Sequence, residues 1–286
     1  MNEVSPIIII GAARSGTKFL RDVLASVDGV VSVPYDVNYI WRSGSETASS
    51  DVLDPRWLSE DKIKSIRKSI FDIAGAKPGD ILIEKTVSNT LRVPYVDRVF
   101  PNARYVHLIR DGRDVTESAM RQWRAKPNAI ALWTKLKGMP LSNFSYVIWF
   151  AKNFIKGLGS GRAGGSVWGP RFAGIDSLVA GCSLAEVCAR QWVESVTCGH
   201  RDLAAVRNSS ERVFEIKYED LVQDESTLRD LVRDLKLPNQ DKIVESYRSR
   251  CDPLSVGKGS RLEHDEDAKV KKIISQICPS IWRSSN

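Results

Sequence analysis

Cysteine and histidine are scarce in this chain of 286 residues. The five cysteines, Cys182, Cys188, Cys198, Cys251 and Cys278, form no C-x-x-C pair, and their number is odd. That excludes a disulfide scaffold and points to reduced thiols, mostly core fillers, in a cytoplasmic setting. The three histidines, His107, His200 and His264, stand far apart with no zinc-ligand spacing, so no metal is expected. His107 reads as a core histidine and His264 as a solvated one. Long apolar runs are missing too. The longest, residues 146–155, is interrupted by Lys152 and Asn153 and is too short to span a bilayer. It reads as a buried helix, with peripheral membrane contact as the alternative. The start of the chain enters an apolar strand directly and carries no secretory leader pattern. Negative charge is the scarcer sign: 35 acidic against 42 basic residues leave a formal charge of +7. That balance favours anionic partners. A hydrophobic content of 42% with 27% charged residues is ordinary globular composition and excludes a disordered chain.

Four isoleucines at 7–10 precede Gly11, as in a strand buried on both faces. Helical apolar spacing follows at Phe19, Leu20, Val23 and Leu24. Further short apolar runs at 30–33, 81–85, 103–109 and 212–217 read as strands. Helices are expected at 59–74, 111–124, 183–206, 225–235 and 241–249, a short helix or turn at 91–100, and a last helix that is acidic at its start and basic at its end. Lys62, Lys64 and Lys68 fit a solvated helical face. Strands alternating with helices predict an α/β fold: three layers, α/β/α, around a central parallel sheet, with a P-loop-like strand–loop–helix at its start. One domain over 1–286 is expected, with a helical and loop insertion at about 125–181, rich in Gly, Trp and Lys, that contributes to an acceptor site.

The strongest local signal is Gly11-Ala12-Ala13-Arg14-Ser15-Gly16-Thr17-Lys18. Glycines between a buried strand and a helix let the backbone curl around an anion, and the first helical N–H groups point at it. An ATP-type loop places lysine directly after its second glycine. Here Thr17 stands there, and Lys18 is turned by about 100 degrees on the helix. No aspartate on a second apolar strand completes a magnesium site. A small-molecule kinase using ATP and magnesium is therefore the alternative reading, and a nucleic-acid partner is not expected, because the basic residues concentrate in short motifs.

Arg14-Ser15-Gly16-Thr17 before an apolar helix resembles the 5′-phosphosulfate loop of the sulfotransferases, which use 3′-phosphoadenosine 5′-phosphosulfate as donor. Three later segments share the resemblance in family order. Arg110-Asp111-Gly112-Arg113-Asp114-Val115-Thr116-Glu117-Ser118 follows a strand, and the resemblance assigns the 3′-phosphate to Arg110 and Ser118; a guanidinium fork and a neutral hydroxyl suit phosphate oxygens. Tyr218, in Tyr218-Glu219-Asp220-Leu221, is implied to lie against the adenine. Lys258, Gly259, Ser260 and Arg261 resemble the family's late basic glycine loop. Thr17, Lys18 and Phe19 complete the donor loop by position.

Sulfuryl transfer implies an in-line displacement that leaves adenosine 3′,5′-bisphosphate. It needs a base, positive charge on the leaving oxygen, and positioning. Cationic side chains supply that charge in the family, without a metal. Arg14 takes the place of the family's loop cation, and Lys85 resembles a lysine that reaches in from a strand end. Two carboxylates compete for the base: Asp36, in Pro34-Tyr35-Asp36, and Glu84, in Glu84-Lys85-Thr86. The acceptor is expected to be a carbohydrate or small metabolite. Trp168 and Arg171, in Trp168-Gly169-Pro170-Arg171, are candidates to touch it, because tryptophan faces stack on sugar rings; Trp123, Trp133 and Trp149 read as packing residues.

Overall fold

The structure, a computed structural model, describes residues 4–46, 48–125 and 167–276. Trp133, Trp149, Cys278, the apolar segment 146–155 and most of the expected insertion lie outside the described residues. Among the described residues five strands form one sheet: β1 (Ser5–Ile10), β2 (Val30–Ser32), β3 (Ile81–Glu84), β4 (Arg104–Ile109) and β5 (Val213–Lys217), in the order β2-β3-β1-β4-β5. Every neighbouring pair is parallel. Helix α1 (Thr17–Leu24) joins β1 to β2; α2 (Asn38–Trp41) and α3 (Glu60–Ala74) precede β3; α4 (Val93–Val99) precedes β4. Between β4 and β5 come α5 (Gly112–Arg124), α6 (Ile175–Gly181), α7 (Leu184–Ala204) and α8 (Ser209–Arg212). After β5 follow α9 (Tyr218–Gln223), α10 (Glu225–Asp234), α11 (Gln240–Arg250) and α12 (His264–Ile274).

The pleat of β1 explains the four isoleucines. Ile7 and Ile9 face one side with Val106 and Leu108, covered by Leu20 of α1, Leu231 of α10 and Ile243 of α11. Ile8 and Ile10 face the other with Leu82 and Tyr105, covered by Ile63 and Ile66 of α3 and Val96 of α4. Helices on both faces leave no wet side, so alternation with polar residues is absent. The three layers read from the sequence are therefore present. Capping sets the helix starts: Ser59 Oγ accepts from the Lys62 N–H at 3.3 Å, the Asp111 carboxylate accepts from the N–H groups of Arg113 and Asp114, and Ser183 with Glu186 forms a reciprocal capping box. Lys62 departs from expectation. It is half-buried, and that burial lowers its pKa against the opposing charge of Glu46. Among the described residues no helix is long and apolar enough to cross a membrane.

Below the ends of β2 and β3 lies a buried polar layer centred on Asp51. Its Oδ1 accepts from Arg42 Nη1 at 2.8 Å and Asn38 Nδ2 at 3.0 Å; its Oδ2 accepts from Ser88 Oγ at 2.9 Å and the Arg171 N–H at 2.8 Å. Burial alone would raise the Asp51 pKa, but Arg92, Asn38, the Arg171 N–H and Arg42 together hold it below the usual carboxylate range. Removing this carboxylate takes away the buried charge paired with Arg42 and a nearby counter-charge of Arg92. We expect Asp51→Ala to lose about 3–5 kcal/mol of stability; denaturant unfolding measures it, and a loss under about 1 kcal/mol would show the pairs to be dispensable.

Candidate active site

In a parallel sheet all strands end on one edge, and ligands of such sheets bind outside those ends. The sequence-predicted donor and catalytic groups, the late loop excepted, gather at or shortly after such ends, with Glu84 the last residue of β3 and Ser118 inside α5. Residues 11–16 follow β1, Asp36 follows β2, Lys85 follows β3, Arg110 follows β4 and Tyr218 follows β5.

The loop 11–16 closes on itself through the Ser15 N–H to the Ala12 carbonyl at 3.1 Å. Arg14 and Gly16 both take the left-handed backbone, with φ of 74° and 86°. Gly16 is required twice over, because a Cβ there would also lie 2.3 Å from Cε2 of Tyr218. At the start of α1 no side chain caps the helix and no acidic residue occupies the first turn, so its N–H groups face outward unopposed. Lys18 points away from the loop and pairs with Asp22 on the exposed helix face. Phe19 packs towards the core, its ring 6.0 Å from that of Tyr247, and Thr17 is buried beside Gly11.

Arg110 joins this loop to the rest of the site. It donates to the carbonyls of Arg14 at 3.1 Å and Ser255 at 2.6 Å, pairs with Asp114 at 3.3 Å, and lies 4.4 Å over the Tyr218 ring. Arg14 in turn donates from Nε to Ser118 Oγ at 3.0 Å. Desolvation lowers the Arg14 pKa, aided by repulsion from Arg121 and Arg110, while Glu117 opposes the shift. The loop and the Arg110–Ser118 pair thus share one surface. Tyr218 is 7% exposed, wedged between Gly16 and Arg110, with its hydroxyl 2.8 Å from Ser255 Oγ. This packing makes it a joint between segments and leaves little of the ring for a base. Lys258, Gly259, Ser260 and Arg261 form a single 3-10 turn over the start of α5, pinned by the Gly259 N–H to Asp114 Oδ1 at 2.7 Å.

Two buried donors here lack partners: Ser15 Oγ, fully buried, and Arg110 Nε. An unsatisfied buried donor costs roughly 1–3 kcal/mol. Anionic oxygens at the loop and at Arg110 would relieve both, so these residues fit a bisphosphorylated nucleotide.

The structure separates the two carboxylates. Asp36 is partly exposed, accepts from Lys85 Nζ at 3.1 and 3.2 Å, and accepts from the Val87 N–H at 3.1 Å. Glu84 is fully enclosed: Thr86 Oγ1 at 2.6 Å, Trp41 Nε1 at 3.3 Å and Asn89 Nδ2 at 2.9 Å donate to its oxygens. No acceptor reaches it there, which corrects its candidacy as base. Arg171 is likewise committed, to Asp176, the Ser49 carbonyl and the Asp51 layer, so it acts as a clamp. Trp168, its carbonyl accepting from Gln191 Nε2 at 2.8 Å, lines a narrow cleft with Ala12, Ala13 and Trp192. Sequence reasoning missed Asp114 as the anchor of both Arg110 and the late turn, and Ser255; Asp114 stood inside the quoted motif with no role assigned. The fold also gathers His107, His200 and Glu215, a cluster of metal-ligand type that sequence spacing hides.

The strand order, the loop and its helix define a P-loop-like α/β protein. Residues 6–136 match the model of the Sulfotransferase family, and over them the resemblance carried by the motifs is shown. Solved structures with the same fold include the sulfotransferase domain from the curacin biosynthetic pathway, 16% identical, TM-score 0.54, covering 96% of this chain and 98% of that one. Sulfotransferase STF9 from Mycobacterium avium is 14% identical with a TM-score of 0.53, over 96% of this chain and 76% of that one. STF1 from Mycobacterium tuberculosis is 13% identical with a TM-score of 0.50, over 96% and 77%. No curated protein matches the chain.

Burial raises the Glu84 pKa, Asp36 adding to the effect while Thr86, Trp41 and Arg92 oppose it. Where the folded state keeps its proton and the unfolded chain releases it, stability falls as pH rises through the folded pKa. We therefore expect the stability of Glu84→Gln minus that of wild type to grow from acid to alkaline pH. A difference flat in pH, measured by denaturant unfolding, would remove the assignment.

Proposed function

We propose that this chain transfers the sulfuryl group of 3′-phosphoadenosine 5′-phosphosulfate to a hydroxyl or amine of a carbohydrate or small metabolite. The observation that carries the reading is the union of the loop with the Arg110–Ser118 pair through Arg14, with unpartnered donors left at both. Bound there, the donor supplies the sulfuryl group and departs as adenosine 3′,5′-bisphosphate.

Ser15 and the first N–H groups of α1 hold the 5′ side, and Arg110 with Ser118 holds the 3′-phosphate. Arg14 and Lys85 set positive charge against the oxygens that gain charge during transfer. Asp36 takes the acceptor's proton. Its ion pair with Lys85 fixes its direction. The outward turn of Lys18 supports transfer of sulfate over a kinase reaction.

Adenosine 3′,5′-bisphosphate is expected to raise the melting temperature more than adenosine 5′-phosphate does, and Ser118→Ala to shrink that difference. Equal shifts from both nucleotides would refute the 3′-phosphate site. Asp36→Asn is expected to lose about 10²–10⁴-fold in turnover, in a screen of labelled sulfate transfer to sugars, phenols and amines, while the bisphosphate shift persists. Turnover within about tenfold of wild type would transfer the base role elsewhere.

A further inference from the structure

We infer that His107, His200 and Glu215 bind one divalent transition-metal ion, with zinc the best fit. The three residues come from β4, α7 and β5, which the fold alone brings together. His107 Nδ1 lies 3.0 Å and His200 Nδ1 3.4 Å from one atom, Glu215 Oε2. One ligand atom from each residue lies within 4.8 Å of the others. Bonds of about 2.0–2.1 Å around tetrahedral zinc set neighbouring ligand atoms roughly 3.3 Å apart, and the two shortest separations here bracket that spacing. Two imidazoles and one carboxylate are the wrong set for calcium or magnesium, which need oxygen, and the right one for zinc and its first-row neighbours.

The surroundings suit an ion that enters from solvent. His107 is 1% exposed and forms a buried wall, whereas the side chains of Glu215 and His200 are 46% and 38% exposed. Three protein ligands with one open side leave a position for water. Helix α7 comes this near β4 because residue 199 is glycine: a Cβ there would stand 2.9 Å from Thr90 Oγ1 and 3.4 Å from His107 Nε2.

The position gives the ion a structural part. His107 and Glu215 are partners across the β4–β5 ladder. Each precedes by three residues a group of the candidate site, Arg110 and Tyr218, or about 10 Å of strand. An ion would tie both strands to α7 behind that site and touch none of the reacting groups, so the inference stands apart from the proposed reaction.

The same three side chains also satisfy one another through hydrogen bonds without an ion, and titration separates the two cases. The full chain, without a histidine tag and stripped by chelator, is titrated with Zn²⁺ by calorimetry and with Co²⁺ by visible absorption. One equivalent of zinc is expected to bind and to raise the melting temperature. The Co²⁺ spectrum is expected to show low-coordinate bands without a thiolate charge-transfer band. Glu215→Gln and His200→Asn are each expected to weaken binding by at least the roughly 10–100-fold that loss of an outer-sphere partner alone costs. The metal-free melting of each should stay near wild type. No saturable binding, binding undiminished in both variants, or a thiolate band would each overturn the site. If a variant fails to fold, the wild-type stoichiometry and cobalt spectrum decide.

Discussion

One guanidinium holds the candidate site together. Arg110 bonds the backbone of the first loop, the backbone before the late turn and a carboxylate on the helix that follows it, and lies over an aromatic ring from the last strand's end. Lysine, with a point charge and no plane, can make neither the fork nor the stacking contact at once. The carbonyl of Arg110 is fixed as well, by Trp192 Nε1 at 3.0 Å. Segments separated by up to 145 positions in sequence thus meet at a residue that is 6% exposed. Its remaining donor, Nε, has no protein partner.

The acidic half of the site depends on a second constraint, the polar layer under β2 and β3. Thr86 Oγ1 accepts from the Val37 N–H at 3.1 Å and donates to Glu84, so the backbone next to Asp36 rests on the buried carboxyl. Asn89 extends the chain from Glu84 to Arg92, and Arg92 reaches Asn38. Thr86, Glu84, Asn89, Arg92 and Asn38 thus form one bonded series, as buried polar networks require. The Lys85 and Asp36 side chains sit on top, one buried and one at the solvent edge, which is the arrangement a proton acceptor needs: fixed from below, open above.

Much of this was legible in the sequence, and the misses have physical causes. Four isoleucines could be read as a strand because only a doubly covered strand tolerates them, and Ser59 with isoleucines at helical spacing marked α3 to within a residue. Short helices such as Asn38–Trp41 escaped notice, since four residues carry no period and no side chain caps this one. The choice between Asp36 and Glu84 stayed open because both follow or end short strands. The difference lies in place: Glu84 is the last residue within β3, covered on both faces, while Asp36 lies four residues beyond β2. The roles of Ser255 and Asp114 depend on contacts 145 residues apart, which no local pattern encodes.

Two of the histidines stand far apart in sequence and meet in space. Parallel pairing sets β4 beside β5 in a register that opposes His107 to Glu215, and a glycine lets α7 bring His200 over both. A strand buried on both faces rarely carries an imidazole unless a partner meets it, since desolvation penalises the charged form and leaves the neutral ring two nitrogens to satisfy. Here the partner stands on the outermost strand, where it can be half-buried and remain charged. The edge of the sheet therefore does two things at once: it ends in the aromatic joint of the candidate site, and it supplies the carboxylate that makes a buried histidine affordable three residues earlier.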